Sequence, residues 1–128
     1  MDKCFFCERM KDKQRKHEYI LENELALAIF DYKPVNPGHI LIITKRHTPT
    51  FFDTSNEERI AMFDLVDQAK NLIDKKYKPD GYNIGINCGE LAGQTAMHVH
   101  VHLIPRYKGD VEDPTGGVRG VIPNKQKY

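Results

Sequence analysis

The stretch His98-Val99-His100-Val101-His102-Leu103 sets a histidine at every second position and an aliphatic residue between. A β-strand sends successive side chains to opposite faces, so this run predicts a strand with three imidazoles on one side and Val99, Val101 and Leu103 on the other. One face is chemical and the other belongs to a core. A strand whose polar face merely happens to carry histidine is the plain alternative. Strict alternation with β-branched and aliphatic partners weighs against it.

Upstream of the histidines, Cys88–Ala96 reads as a glycine-containing loop and Tyr82–Asn87 as a strand. Within the loop, Gly89 and Gly93 let backbone amides converge on an anion, and Gln94 and Thr95 add side-chain donors. An ordinary strand connection is the bland reading of the same loop. Before it, Lys78-Pro79-Asp80-Gly81 forms a turn that stops a helix. That helix opens at Ser55-Asn56-Glu57-Glu58, which has the form of a capping box. Ile60, Phe63, Val66, Ala69 and Ile73 recur at three- or four-residue steps along it and predict its buried stripe.

Further upstream, Ile40–Ile43 is a continuous apolar strand, followed by His47 and Pro49. Tyr19–Glu22 and Leu25–Asp31 read as a hairpin turned at Asn23-Glu24, and residues 11–17 as a charged, solvated connector. Downstream, Pro105 is expected to stop the histidine strand. From Gly109 on, Gly, Pro and charged residues dominate, and only Val118, Val121 and Ile122 look buriable. This tail is expected to lie across the surface or on a partner. The order hairpin, strand, helix, strand, strand predicts an α+β domain, a mainly antiparallel sheet with one long helix covering a face.

Composition narrows the function. A chain of 128 residues fits one domain with a core of its own, and its net charge of +1, from 19 basic and 18 acidic residues, provides no global field for nucleic acid. Any anion site must be local. No apolar run approaches the ~20 residues that span a bilayer, and the start Met1-Asp2-Lys3-Cys4 lacks a secretory pattern, so a cytoplasmic protein without membrane contact is expected. Three cysteines make no disulfide framework. In a reducing compartment the close pair Cys4-Phe5-Phe6-Cys7 reads as a metal half-site, which needs two further ligands to complete a tetrahedral zinc site.

The run from Gly93 to Arg106, GQTAMHVHVHLIPR, resembles the signature of the histidine triad family of nucleotide hydrolases and transferases. Phe30-Asp31, Lys33-Pro34-Val35 and Pro37-Gly38-His39 agree with that family in order and spacing, so the resemblance covers residues 4–107. It implies the histidine triad fold over residues 1–108, with an N-terminal zinc-binding segment, and a divergent tail over 109–128. It also implies a homodimer and a purine nucleotide substrate. By the same resemblance His100 is the nucleophile that attacks an α-phosphorus and forms a covalent nucleotidyl-histidine, with its other ring nitrogen held by a carbonyl near His98. His102 is a second catalytic residue beside the phosphate. Asn87, Gly93, Gln94 and Thr95 bind phosphate oxygens with it, Asp31 takes ribose hydroxyls, and Phe30 lines the base site. His39 is expected to make only a structural hydrogen bond. Zinc-binding members complete the cysteine pair at positions matching His47 and His98, which implies one structural zinc per chain on Cys4, Cys7, His47 and His98.

The Gly-Gln-Thr before the triad and Pro-Arg after it resemble the dinucleoside polyphosphate hydrolase branch, with diadenosine tetraphosphate as first substrate. An adenosine phosphoramidate hydrolase or a nucleotidyltransferase is the alternative within the family. Outside it stand a zinc-ordered binding module without catalysis and a metal site built on all three triad histidines.

Overall fold

From His100 on, the histidine run forms an inner strand of the protein's one sheet, in a computed structural model that describes residues 4–128. The expected absence of a secretory leader concerns Met1, Asp2 and Lys3 in part, and these lie outside the described residues. The strands are β1 (Leu21–Glu22), β2 (Ala26–Phe30), β3 (Ile40–Thr44), β4 (Gly81–Ile86) and β5 (His100–Arg106). They make one sheet in the order β1-β2-β3-β5-β4, and every neighbouring pair is antiparallel. Helix α1 spans Phe5–Lys11 and helix α2 spans Asn56–Lys76. The expected α+β architecture, an antiparallel sheet under one long helix, is the observed one.

Burial alternates along β5 as the pattern requires. Val99, Val101 and Leu103 join Ala26, Ala28, Ile40 and Ile42 beneath Met62, Leu65, Ala69 and Ile73 of α2. Leu27, Ile29, Leu41 and Ile43 point to the other face, where Phe6 of α1 covers them. That second face carries the histidines. β3 is therefore buried on both sides, as its unbroken apolar run predicts.

Helix α2 begins with the expected capping box. Ser55 Oγ accepts from Glu58 N, and Glu58 Oε1 accepts from Ser55 N. Glu58 is nevertheless buried, because Arg46 meets it through Nη2 at 2.7 Å and Nε at 3.0 Å. This fork holds its carboxyl down at about 2 and anchors the loop that carries His47. The expected stripe is wrong at its start: Ile60 is 71% exposed and Phe63 40%, and Met62 and Leu65 are buried instead. Both sets recur at helical spacing, and only the contact with the sheet distinguishes them.

Three other expectations change. The connector at 11–17 is helical, passing from α1 into a 3₁₀ helix at Lys13–Glu18. β5 runs through Pro105, which pairs with Tyr82 of β4. β3 has already ended at that level, and the Pro105 carbonyl on that side accepts from Asn36 Nδ2, so no ladder bond is lost to the missing N–H. In the tail, Val118, Val121 and Ile122 stay exposed. Among the described residues no helix is long and apolar enough to cross a membrane.

Candidate active site

His98 lies just before β5 and is fully buried. Its Nε2–H donates to the Thr44 carbonyl at the end of β3 (2.7 Å), which leaves Nδ1 with a free lone pair. Nδ1 sits 3.3 Å from Cys4 Sγ and 3.6 Å from Cys7 Sγ, and Cys7 Sγ sits 3.3 Å from His47 Nδ1. These four donor atoms lie within 4.8 Å of one another. A tetrahedral zinc with ordinary Zn–S and Zn–N bonds has ligand–ligand edges of roughly 3.3–3.8 Å, so the donors fit the ion in kind and spacing. Burial pushes the Cys7 thiol up to about 11, with the neighbouring Cys4 adding to it. A dicationic metal held here would offset this cost by favouring the thiolate forms. Cys4 is also the N-cap of α1, its Sγ accepting from Cys7 N.

His100 differs in orientation. Its Nδ1–H donates to the His98 carbonyl at 2.8 Å, as the resemblance implies, so the proton is fixed on Nδ1 and Nε2 keeps a lone pair. The ring opens on a cavity of about 340 Å³. His102, Asp31 and Phe30 line the same cavity, together with Asn87, Gly93 and Thr95. Gly93 turns the loop there with φ at +97°, a conformation that favours glycine.

Gln94 is the predicted site residue that the geometry turns away. Its side chain is buried: Oε1 accepts from Gly89 N (2.8 Å), and Nε2 donates to the Pro49 (2.6 Å) and Ala96 (3.0 Å) carbonyls. It braces the loop from behind, and the donors facing the cavity come from its neighbours.

His102 meets a partner that sequence reasoning set aside. Val35 N–H donates to His39 Nδ1 (3.1 Å), so His39 carries its proton on Nε2, 3.0 Å from His102 Nδ1. His102 therefore accepts on Nδ1 and holds its own proton on Nε2. Burial, then the His100 ring and His39, lower the His102 pKa to about 4 against the pull of Asp31, so at neutral pH it acts as a neutral donor. Asp31 Oδ1 accepts from Lys33 N, which leaves Oδ2 3.6 Å from His39. The signal for His39 was present in Pro37-Gly38-His39, whose turn delivers it beside the start of β3.

The three triad rings thus do not converge on one metal. Among the described residues the ligating groups are Cys4/Cys7/His47/His98 and Asp31/His39/His102, and His100 belongs to neither. The second group does not suit a cation, because His39 presents an N–H to it.

The tail reaches the His102 side without its cations. Gly117, Val118, Gly120 and Val121 border an open hollow shared with Asp31, His39 and His102. Arg106 is committed to Asp110 and Asn83, and Arg119 to the Lys125 and Gln126 carbonyls. α1 contributes residues that the sequence reading left out of the site: Phe5, Phe6 and Arg9 line the histidine cavity together with Tyr32.

Comparison with known proteins agrees with this geometry. The HIT domain family matches residues 12–109. A bis(5'-adenosyl)-triphosphatase of Dictyostelium discoideum is 36% identical over 99 residues, 77% of this chain and 66% of that protein. An asymmetrical bis(5'-nucleosyl)-tetraphosphatase of Schizosaccharomyces pombe is 40% identical over 90 residues, 70% of this chain and 50% of that one. The chain thus spans about half to two thirds of these relatives' lengths. A crystal structure of a zinc-bound histidine triad family protein from Mycobacterium smegmatis superposes with a TM-score of 0.74 at 35% identity, over 84% of this chain and 77% of that one.

Proposed function

The chain belongs to the HIT domain family, and from that membership and the tautomers of its histidines we propose a nucleotide hydrolase in which His100 attacks the α-phosphorus of a dinucleoside polyphosphate. The observation that carries this reading is the 2.8 Å bond from His100 Nδ1 to the His98 carbonyl, which leaves Nε2 unprotonated at the cavity. A bond forms from Nε2 to phosphorus, and the bond to the bridging oxygen breaks with its electron pair on the departing polyphosphate. Water then attacks the phosphorus of the nucleotidyl-histidine and gives up a proton to bulk solvent, the P–N electron pair returning to Nε2. The P–N bond breaks, and a nucleoside monophosphate is released.

The other residues follow from position. His102 donates Nε2–H to a phosphoryl oxygen, its orientation fixed by His39. Asn87, Thr95 and the loop amides at Gly93 take the remaining oxygens. Asp31 Oδ2 receives ribose hydroxyls, and Phe30, 40% exposed, offers its ring to the base. Cys4, Cys7, His47 and His98 would hold one zinc per chain, and as a structural ion it would tie α1 to the end of β3 and the start of β5. Residues 1–108 form the nucleotide-binding domain of a cytoplasmic homodimer, with β4 at the sheet edge available to continue the sheet. Residues 109–128 are its tail.

The names of the Dictyostelium and fission-yeast relatives favour a polyphosphate over an adenosine phosphoramidate. Product analysis on diadenosine tetraphosphate tests the assignment. Attack at the adenosine-bearing phosphorus yields AMP and ATP, whereas two ADP molecules contradict it. A higher kcat/KM on adenosine phosphoramidate moves the protein to the other branch. A protein that cleaves neither compound is a binding module.

A further inference from the structure

Arg9 is the least expected residue of the histidine cavity. It lies on α1, two residues past Cys7, and its side chain is only 6% exposed. One edge of its guanidinium is committed, Nη2 donating to Glu18 Oε1 at 2.6 Å. Its Nε–H is buried with no partner among the described residues, although the residue lines the cavity that holds His100 and His102. A buried donor without an acceptor costs stability. Such a donor calls for an acceptor that a bound ligand or an ordered water can supply.

The surroundings specify the ligand part. Glu18 holds Arg9 in place and is shared with Arg15, whose Nη2 lies 3.1 Å from the same oxygen, so Arg9 presents a fixed set of N–H donors beside a partly balanced charge. The guanidinium carbon lies 4.8 Å from the centre of the Tyr32 ring, and Phe5 meets the same ring edge-on at 5.5 Å. Phe6 closes the wall, its ring 5.3 Å from that of His100. Phe30 and Leu41 complete an aromatic and aliphatic recess around one group of donors. A phosphate suits the amide-rich loop at Gly93 and Thr95. A flat heteroaromatic ring with acceptors on its edge suits this recess.

We propose that Arg9 reads the nucleobase, donating from its free guanidinium edge to an acceptor on the purine ring, so that the helix opened by the cysteine pair forms the specificity wall of the site. This rests on the nucleotide-binding role proposed above. It makes base preference a property of the N-terminal segment.

Calorimetric titration of wild type, Arg9→Lys and Arg9→Met with AMP and with ribose 5-phosphate separates the outcomes. The two ligands share phosphate and sugar and differ only in the base. Arg9→Lys retains a cation for Glu18 and removes the planar donors, so it serves as the variant least disturbed in fold. Both variants are expected to bind AMP about tenfold or more weakly and ribose 5-phosphate as wild type does, with bound metal unchanged. Equal losses on both ligands overturn the proposal by showing that Arg9 acts through the fold or the phosphate. Unchanged AMP affinity in both variants overturns it too. Wild-type protein that binds neither ligand contradicts the nucleotide reading itself, which distinguishes that failure from a failure of Arg9.

Discussion

His98 and His102 stand four residues apart on one face of the same chain segment, and they finish in opposite surroundings. His98 is sealed against sulfur, with its outer nitrogen held by the Thr44 carbonyl. His102 borders a cavity, with its inner nitrogen facing another histidine. β3 makes the difference. It runs antiparallel to β5, so His98 lies past its C-terminal end, near His47, and His102 lies beside its start, near His39. The period of the sequence chooses the face, and the cross-strand register chooses the chemistry. Between the two ends His100 leans its proton on the backbone of one and opens toward the other.

The comparison breaks most severely at the middle ring. His100→Ala should lower kcat by up to about 10⁶-fold, the scale seen when a covalent nucleophile is removed, while AMP binding persists. Steady-state rates with titration of the same sample check this. Retention of several per cent of wild-type turnover would exclude His100 as the nucleophile.

At the sulfur end, replacing Cys4 and Cys7 with serine should strip the bound metal and lower the thermal midpoint by about 10 °C or more, since structural zinc contributes directly to folding. Turnover of the folded fraction should fall less than about tenfold. Elemental analysis beside a melting curve gives both readings, and metal retained in the double variant would reassign its ligands.

At the open end the effect is smaller and depends on pH. The folded pKa of His102, about 4, lies below the ~6.5 of an unfolded histidine, so between these values the unfolded chain binds more protons. The contribution is therefore fully present above pH ~6.5 and declines as pH falls toward 4. His39, also lowered by burial, pushes the same way. Melting curves across this window should drop more steeply for wild type than for His102→Gln, and parallel curves would remove His102 from the account.

The fold was legible because its determinants are local. Alternation identified β5, the Ser55 box located the start of α2, and Ile40–Ile43 announced a strand buried on both sides. What stayed hidden depends on pairing. His39 became a partner of His102 only through the register that sets Leu41 opposite His102. Gln94 looked like a phosphate donor until the loop folded back and used both ends of its amide. α1 was obscured by charge, because Arg9 is buried only when Glu18, nine residues on, comes round to meet it. Ile60 and Phe63 fit the helical period as well as Met62 and Leu65 do, and contact with the sheet decided between them.

The central claim is a bond between His100 and the nucleotide, and it can be sought directly. Wild-type protein mixed briefly with α-phosphorus-labelled diadenosine tetraphosphate, quenched in base to preserve a phosphorus–nitrogen bond, is digested and its labelled peptide sequenced by mass spectrometry. The account predicts an adenylyl group on His100, absent from His100→Ala. Label on His102, or AMP and ATP released in a single turnover with no labelled histidine at any time point, would contradict it.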